Sequence, residues 1–129
     1  MALPRGTPPA PPSRVHHIAL RVADPERSLL FYGGLLGLPE LRRFEEGERV
    51  RSIWLDAGNA VLMLEREIKG GGPAAGSGHV LAFAVEDLPA WEERLAAAGI
   101  ALLDRTAATL FVADPDGHRV GLSVHAFAG

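Results

Sequence analysis

The side chains that could carry out chemistry in this chain are few. The 129 residues include no cysteine, which excludes disulfides, thiolate zinc sites and cysteine nucleophiles. No Ser–His–Asp arrangement, phosphate-binding loop or pair of catalytic carboxylates stands out in the sequence. Five histidines remain as metal ligands or acid–base groups. Arginines and two tryptophans remain as groups that could bind an anionic or aromatic molecule.

Charge and hydropathy exclude two classes of partner. Thirteen basic and sixteen acidic residues give a formal charge of −3, whereas a nucleic-acid-binding domain normally carries a basic face. No uninterrupted apolar run approaches the roughly 18 residues that span a bilayer, and residues 1–14 lack the apolar core of a secretory signal. We therefore expect no nucleic-acid partner and no membrane partner. The absence of cysteine is typical of the reducing cytoplasm.

The second half of the chain repeats the pattern of the first. IALRVAD at 18–24 and LAFAVED at 81–87 are apolar strand patterns that end in an aspartate able to cap a helix. Apolar residues at helical spacing follow each aspartate, and Gly37 and Gly99 are placed to end the two helices. Strand-like runs follow, so each half predicts the order β-α-β-β-β. These later strands are predicted at 40–44, 50–55, 60–64, 101–104, 109–113 and 119–125.

Two segments of different composition border these halves. Residues 1–13 contain five of the ten prolines, and because proline lacks an N–H and fixes φ we expect a disordered N-terminal tail. Residues 66–78 contain five glycines and are predicted to be a flexible linker. Residues 14–129 are predicted to form a single domain, with module one at 14–65, the linker at 66–78 and module two at 79–127.

Two predicted connections have informative sequences. Segment 42–51 carries seven charges in ten residues, which indicates a solvated hairpin, with a mobile lid over a site as the alternative. DPDG at 114–117 is a tight-turn sequence, because proline presets φ, glycine tolerates a positive φ and aspartate side chains cap backbone N–H groups. We expect the residue after it, His118, to lie in solvent.

Four motifs occur in order around the duplication. They are HIALRV at 17–22, D..RS..FY...LG at 24–37, LAFAVEDL at 81–88 and DPDGHRVGL at 114–122. Together they resemble the vicinal oxygen chelate superfamily, which includes glyoxalases, bleomycin-resistance proteins, fosfomycin-resistance enzymes and extradiol dioxygenases. The resemblance spans 15–125 and implies an α+β fold of paired βαβββ modules, whose curved mixed sheets enclose a cavity. It also implies a homodimer, since the cavity often forms across two chains.

The resemblance further implies up to four ligands for a divalent metal, usually two histidines and two glutamates. The first histidine position matches His17. The other three positions fall on Met63, Val80 and Gly121. One of the four ligands therefore remains.

Two residues near the vacant positions could substitute. Glu65 lies two residues after Met63, so its side chain is predicted on the same face of the strand. His79 directly precedes the ligand position at Val80, so its side chain is predicted on the opposite face. A bulge or register shift could bring them to His17 as a Zn, Ni, Mn or Fe site. We nevertheless expect no metal, and we interpret His17 as a hydrogen-bonded histidine on the cavity wall.

Strand alternation assigns further residues to the cavity face. Trp54 supplies an aromatic surface, Met63 a deformable apolar contact, and Arg21 and Arg119 cationic donors. Small residues recess the wall of module two, namely Ala82, Ala84, Gly121 and Ser123. The opposite phase assigns Val120, Leu122 and Val124 to the core, and helical spacing packs Trp91 against the outer face of the sheet. The candidate ligand-binding residues are His17, Arg21, Trp54, Met63, Arg119, Ser123 and His125.

These observations favour a metal-independent protein that sequesters a small anionic or aromatic ligand, similar in role to the bleomycin-binding resistance proteins. The first alternative is a divalent-metal-dependent lyase, isomerase or transferase of glyoxalase type, in which His17 holds an ion that stabilises an enediolate or alkoxide. A second alternative is an interaction module with a vestigial cavity. Loss of three ligand positions disfavours the enzyme, and the recessed wall disfavours the interaction module.

Overall fold

A computed structural model describes residues 2–7, 9–68 and 79–126. Each half of the chain forms one four-stranded mixed sheet, sheet one from β1–β4 and sheet two from β5–β8. The elements are β1 (His17–Arg21), α1 (Pro25–Leu29), β2 (Glu40–Glu46), β3 (Arg49–Asp56), β4 (Val61–Glu65), β5 (Val80–Ala84), α2 (Leu88–Ala97), β6 (Asp104–Arg105), β7 (Thr109–Ala113) and β8 (Arg119–Ser123). Neither helix is long and apolar enough to cross a bilayer.

The two sheets have the same strand order. It is β1-β4-β3-β2 in sheet one and β5-β8-β7-β6 in sheet two. The first strand of each module pairs in parallel with the last, and the other pairs are antiparallel. This confirms the predicted α+β fold of paired βαβββ modules. It also makes β1 and β5 outer strands of their sheets.

Both helices begin where the sequence predicts. The Asp24 side chain accepts a hydrogen bond from the Glu26 N–H, and Pro25 occupies the first helical position. The Asp87 side chain accepts one from the Ala90 N–H. The two aspartates of the repeat are therefore helix caps.

The first helix changes type after one turn. The Leu36 N–H donates to the carbonyl of Phe31, five residues earlier, at 3.0 Å. Leu30–Leu35 therefore forms a π-helical turn instead of the continuous α-helix that the apolar spacing predicts. The turn places Phe31 and Tyr32 in the core. Gly37, at a φ of 85°, follows it in the position predicted to end the helix.

Module two is attached to module one through a buried carboxylate. The Tyr32 hydroxyl donates to Asp114 Oδ2 at 2.7 Å. Asp114 Oδ1 accepts the N–H groups of Asp116 and His118 at 2.9 and 2.8 Å, which is the capping role predicted for this turn. Asp114 thereby has partners from its own turn and from the opposite module.

Asp116 and His118, which follow Asp114 in the chain, also contact module one. Asp116 Oδ1 accepts the Ala23 N–H at 2.9 Å and lies 3.0 Å from the Arg27 guanidinium. His118 Nε2 lies 2.8 Å from the Arg21 carbonyl oxygen, so the imidazole is the donor. The prediction that His118 lies in solvent was wrong, because the turn packs on module one instead of projecting from the sheet.

Two predicted strands, at 119–125 and 101–104, have different bounds in the structure. β8 ends at Ser123, and Val124, assigned to the core, is 40% exposed, because alternation of faces holds only within the sheet. Of 101–104, only the last residue belongs to β6. Segment 42–51 lies within the β2–β3 hairpin and is mostly exposed, as the solvated hairpin predicts, and the lid stays an alternative prediction.

The predicted tail and linker are only partly described. Residues 2–7 and 9–13 are exposed and belong to no helix or strand, and their disorder stays a prediction. Residues 1 and 8 of the tail, 69–78 of the linker and 127–129 lie outside the described residues.

Tyr32, the one tyrosine of the chain, gives a test of the module contact. Burial and the adjacent Asp114 carboxylate raise the pKa of Tyr32 well above its ordinary value of 10.0. The unfolded chain therefore loses this proton above about pH 10, while the folded chain keeps it. The contribution of this proton to the free energy of unfolding is fully present below that pH, and the free energy falls above it by about 1.4 kcal/mol per pH unit. Urea denaturation should show this fall in the wild type but not in Tyr32→Phe.

At neutral pH, Tyr32→Phe should lower the free energy of unfolding by about 1.5–3 kcal/mol, the cost of a lost bond to a carboxylate. Glu40→Gln, which weakens the exposed pair with Arg43, is the control and should change it by less than about 1 kcal/mol. Parallel pH profiles for the wild type and Tyr32→Phe would contradict the assignment.

Candidate functional site

One face of sheet one carries polar and aromatic side chains. Strand register places these residues opposite one another in rows, and residues of one row point to the same side of a sheet. We call this surface the sheet-one face. Its rows are His17–Val61–Asp56, Ala19–Met63–Trp54–Arg42 and Arg21–Glu65–Ser52–Phe44.

Trp54 is held at the centre of the sheet-one face. Its indole N–H lies 2.8 Å from Ser52 Oγ and 3.2 Å from Glu65 Oε1. The Phe44 ring packs beside it, with centroids 5.0 Å apart and planes at 55°. Because the N–H already has acceptors within the protein, it is the half-buried ring surface that Trp54 offers to another molecule.

Sequence reasoning missed two residues of this face, Phe44 and Arg42. The Arg42 guanidinium lies 4.7 Å from the centroid of the Phe44 ring, and Arg42 is the register partner of Trp54. The arginine beside Trp54 is therefore Arg42. A signal was present, because Arg42 and Phe44 share one phase of the segment predicted as a strand at 40–44.

Arg21 and Met63 lie on the sheet-one face as their phase predicts. Met63 is the register partner of Trp54 and is partly buried. The Arg21 guanidinium donates to the Ile68 carbonyl at 2.7 Å, so it is tied to the chain that follows β4. A role for Arg21 in ligand binding stays a prediction.

Sheet two carries a hollow of about 410 Å³, which we call the sheet-two hollow. It lies where small residues predict a recessed wall, and it includes the predicted Ser123 and His125. Phe111 and Thr109 line it as well and were not predicted. Arg119, also predicted, lies 4.7 Å from the Phe111 ring centroid and 3.7 Å from the Asp104 carboxylate. The lining residues are Ala82, Phe83, Ala84, Thr109, Phe111, Ser123 and His125.

The second tryptophan lies elsewhere. Trp91 packs against the core from α2, as its helical spacing predicts. It also lines a second hollow of about 380 Å³ between the modules, together with Leu36, Leu38 and Ala57. This second hollow shares Ala82, Phe83 and Ala84 with the sheet-two hollow but includes no residue of the sheet-one face. The two indoles therefore report on different surfaces.

His17 is not placed beside Glu65. Its Nδ1 lies 3.0 Å from Nδ1 of His16, so one imidazole donates and the other accepts. The register partner of His17 on β4 is Val61, whereas Glu65 pairs with Arg21. Four residue steps of extended strand, about 13 Å, separate Val61 from Glu65, and the Glu65 carboxylate lies 3.2 Å from the Trp54 indole nitrogen. His17 and Glu65 therefore belong to no cluster of three possible metal ligands among the described residues.

The other candidate ligand positions also fail to form a site. His79 is exposed and precedes β5 in the other sheet. Met63, Val80 and Gly121 occupy the positions that the resemblance assigns to metal ligands. In the part of the chain that the structure describes, no three His, Asp or Glu side chains are grouped so that they could hold a metal ion.

Gly121 is also unable to carry a ligand side chain without rearrangement. A Cβ atom built there would lie 3.3 Å from Ala82 Cβ and 3.4 Å from Phe111 Cε1. A side chain at position 121 would thus crowd the Ala82 methyl and the Phe111 ring from its first carbon atom. The His, Asp and Glu side chains of the described residues, which are the donor set for a metal, therefore do not fit a divalent ion.

Comparison with known proteins agrees with this architecture. Residues 14–122 match the Glyoxalase/Bleomycin resistance protein/Dioxygenase superfamily. A lactoylglutathione lyase from Agrobacterium tumefaciens has 19% sequence identity and a TM-score of 0.70, with 88% of this chain and 94% of that chain covered. TnmS3, an antibiotic binding protein from Streptomyces sp. CB03234, has 21% identity and a TM-score of 0.66 over 86% and 94%.

A third similar structure comes from the mobile metagenome of V. Pseudocholerae, with 27% identity and a TM-score of 0.70 over 90% and 97% of the two chains. No curated protein matches the sequence significantly. The likeness to the lyase and to TnmS3, at these low identities, shows the fold alone.

The donor set predicts the result of a metal analysis. The protein should retain no stoichiometric Zn, Ni, Mn or Fe after extensive dialysis, because a single histidine cannot form a three- or four-ligand site. Elemental analysis of the dialysed protein is the measurement, and His17→Ala is the matched variant. About one equivalent per chain that disappears in His17→Ala would contradict this expectation.

Proposed function

The chain belongs to the Glyoxalase/Bleomycin resistance protein/Dioxygenase superfamily, and from this premise we propose that it is a metal-independent protein that binds a small molecule. Its ligand is a planar aromatic compound with an anionic group. The protein sequesters this ligand and does not transform it. The absence of cysteine supports the cytoplasm as its compartment.

The observation that carries this proposal is the fixed Trp54 ring. Ser52 and Glu65 hold the indole N–H, and Phe44 packs against the ring. Side chains that are already ordered lose little conformational entropy when a ligand binds. A flat aromatic molecule can therefore stack on Trp54 without first rearranging the face.

Arg42 supports an anionic group on the ligand. It is exposed, it lies over the Phe44 ring, and it is the register partner of Trp54. A guanidinium can pair with a carboxylate through two parallel hydrogen bonds. A ring stacked on Trp54 would thus place its anionic substituent within reach of this cation.

The metal-dependent lyase, isomerase or transferase has no support from the donor set. It would require ligands that Met63, Val80 and Gly121 do not supply. The similarity to the Agrobacterium lyase is one of fold. TnmS3 carries a binding role on the same fold, and our proposal assigns a role of that kind to this chain. The sheet-two hollow disfavours the interaction module with a vestigial cavity.

We propose that two copies form a two-fold homodimer. β1 and β5 are outer strands, whose unpaired edges favour association. Val80 on β5 is 46% exposed, and the next residues of its phase, Ala82 and Ala84, are exposed too. A second copy that covers these strands would enclose the sheet-one face and the sheet-two hollow, and two-fold pairs are the commonest oligomers.

Tryptophan fluorescence tests the ligand site. A planar aromatic carboxylate should quench the emission and stabilise the fold by about 2.7 kcal/mol at a hundredfold excess over its Kd. Trp54→Phe should remove most of the quenching, whereas Trp91→Phe should retain it. Arg42→Gln should weaken binding about tenfold by removing a charge-assisted hydrogen bond. Quenching that survives Trp54→Phe and disappears in Trp91→Phe would contradict the site.

Light scattering tests the dimer. At micromolar concentration the mass should be about 27 kDa, twice the 13.7 kDa of one chain. Val80→Lys should shift the protein toward monomer, because it places a charge on the outer strand of each copy. Leu3→Lys, at a residue that is 80% exposed in the tail, is the control and should leave the mass unchanged. A wild-type monomer would refute the dimer.

A further inference from the structure

We infer that the sheet-two hollow takes a flat, uncharged ring that carries an N–H or O–H donor. This inference rests on the proposed binding function and specifies the ligand chemistry of one part of the site. It follows from two features of the hollow, its shape beside Gly121 and the direction of its hydrogen bonds.

The shape of the hollow depends on the contact between Gly121 and Phe111. The Phe111 ring approaches the Gly121 backbone closely enough that a Cβ atom there would lie 3.4 Å from Phe111 Cε1 and 3.3 Å from Ala82 Cβ. Gly121 is buried, and its neighbours Ala82 and Ala84 carry only methyl groups. The result is an apolar hollow of about 410 Å³, within the range of small-molecule sites. Its aromatic and methyl walls favour a flat ring.

The polar part of the hollow is a pair of hydroxyl groups. Thr109 Oγ1 and Ser123 Oγ are 2.8 Å apart. Ser123 Oγ also donates to the Ala108 carbonyl at 3.3 Å. The Ala108 carbonyl can only accept and a serine hydroxyl has one proton, so both contacts of Ser123 Oγ are hydrogen bonds only when Thr109 is the donor in the Thr109–Ser123 bond. Ser123 Oγ further accepts the backbone N–H of His125 at 3.1 Å.

In this arrangement both hydroxyl protons are donated to acceptors within the protein. Thr109 Oγ1 keeps acceptor lone pairs but has no proton left for a ligand. A ligand N–H or O–H can bond to it, whereas a carboxylate or ether oxygen would meet only lone pairs. The hydroxyl pair is partly buried, and a ligand that covers it without offering a donor leaves the Thr109 acceptor unpaired, which is costly, so the pair selects a ring with a donor.

The cation nearest to Phe111 does not reverse this preference. Arg119 lies over the Phe111 ring but also 3.7 Å from the Asp104 carboxylate, which offsets its charge. The anionic group of the ligand is thus matched by Arg42 on the sheet-one face, and the donor-bearing ring by Thr109 in the sheet-two hollow.

Three matched probes test the inference by isothermal titration calorimetry. They share one ring system: 2-naphthol has an O–H donor, 2-methoxynaphthalene has none, and 2-naphthoate carries an anionic group. The wild type should bind 2-naphthol about three- to tenfold more tightly than 2-methoxynaphthalene, the effect of one neutral hydrogen bond. Thr109→Val, similar in shape but without the hydroxyl, should bind the two equally.

Three further variants control for folding and for other groups. Thr109→Ser keeps the hydroxyl and should keep the preference for 2-naphthol. Glu92→Gln, which weakens the pair with Arg105 outside the lining of the hollow, should also keep it, because the preference arises at Thr109. Gly121→Ala should weaken 2-naphthol binding, because the new methyl displaces Phe111. Thermal unfolding of each variant verifies that it is folded.

Equal binding of 2-naphthol and 2-methoxynaphthalene by the wild type would overturn the inference. So would a preference that survives Thr109→Val, or failure of 2-naphthol to bind at millimolar concentration. These outcomes are separate from those that judge the proposed function, because quenching of Trp54 by 2-naphthoate reports on the sheet-one face. Quenching without a donor preference would remove the inference and leave the proposed function.

Discussion

The hydrogen bond between Tyr32 and Asp114 is the contact on which the arrangement of the two modules depends. Asp114 is only 5% exposed, and a buried carboxylate is stable only when its oxygens are bonded. Asp114 satisfies this condition with the Tyr32 hydroxyl and with two N–H groups of its own turn. The same carboxylate thereby shapes the turn and fixes module two to the helical segment of module one.

The same turn also bonds to the chain at the end of β1 and before α1. Once the turn is shaped, Asp116 faces the Ala23 N–H at the start of α1 and His118 faces the Arg21 carbonyl at the end of β1. The corresponding turn of module one differs, since the Asp56 side chain accepts the N–H of its own neighbour Gly58. That turn borders the hollow beside Trp91 instead. The two modules share a topology but are joined by contacts that are not symmetric.

The two candidate surfaces also differ, because equivalent strands of the two modules carry different side chains. Sheet one has an ordered aromatic pair with a cation beside it. Sheet two has a hollow, because Gly121 lets Phe111 lie close to the strand. The first surface suits stacking and charge pairing, and the second suits shape and a directed hydrogen bond. A ligand that carries both an anionic aromatic group and a ring with a hydrogen-bond donor would contact both sheets. The two duplicated modules would then supply two different parts of one binding site.

The sequence by itself determined the βαβββ duplication, both helix caps and the face on which Trp54, Met63 and Arg21 lie. These properties are local, because capping depends on neighbouring residues and side-chain direction in a strand alternates with a period of two. For the same reason Arg42 and Phe44 could have been assigned to that face.

Only the tertiary structure decided which of these side chains meet. The Arg21–Ile68 bond, the Trp54–Glu65 bond and the fit of Phe111 against Gly121 depend on strand register and on packing between different strands. The distance between His17 and Glu65 likewise follows from the pairing of β1 with β4. Alternation gives the side of the sheet on which a residue lies but not its neighbours on that side, since these are set by pairing between residues far apart in the chain.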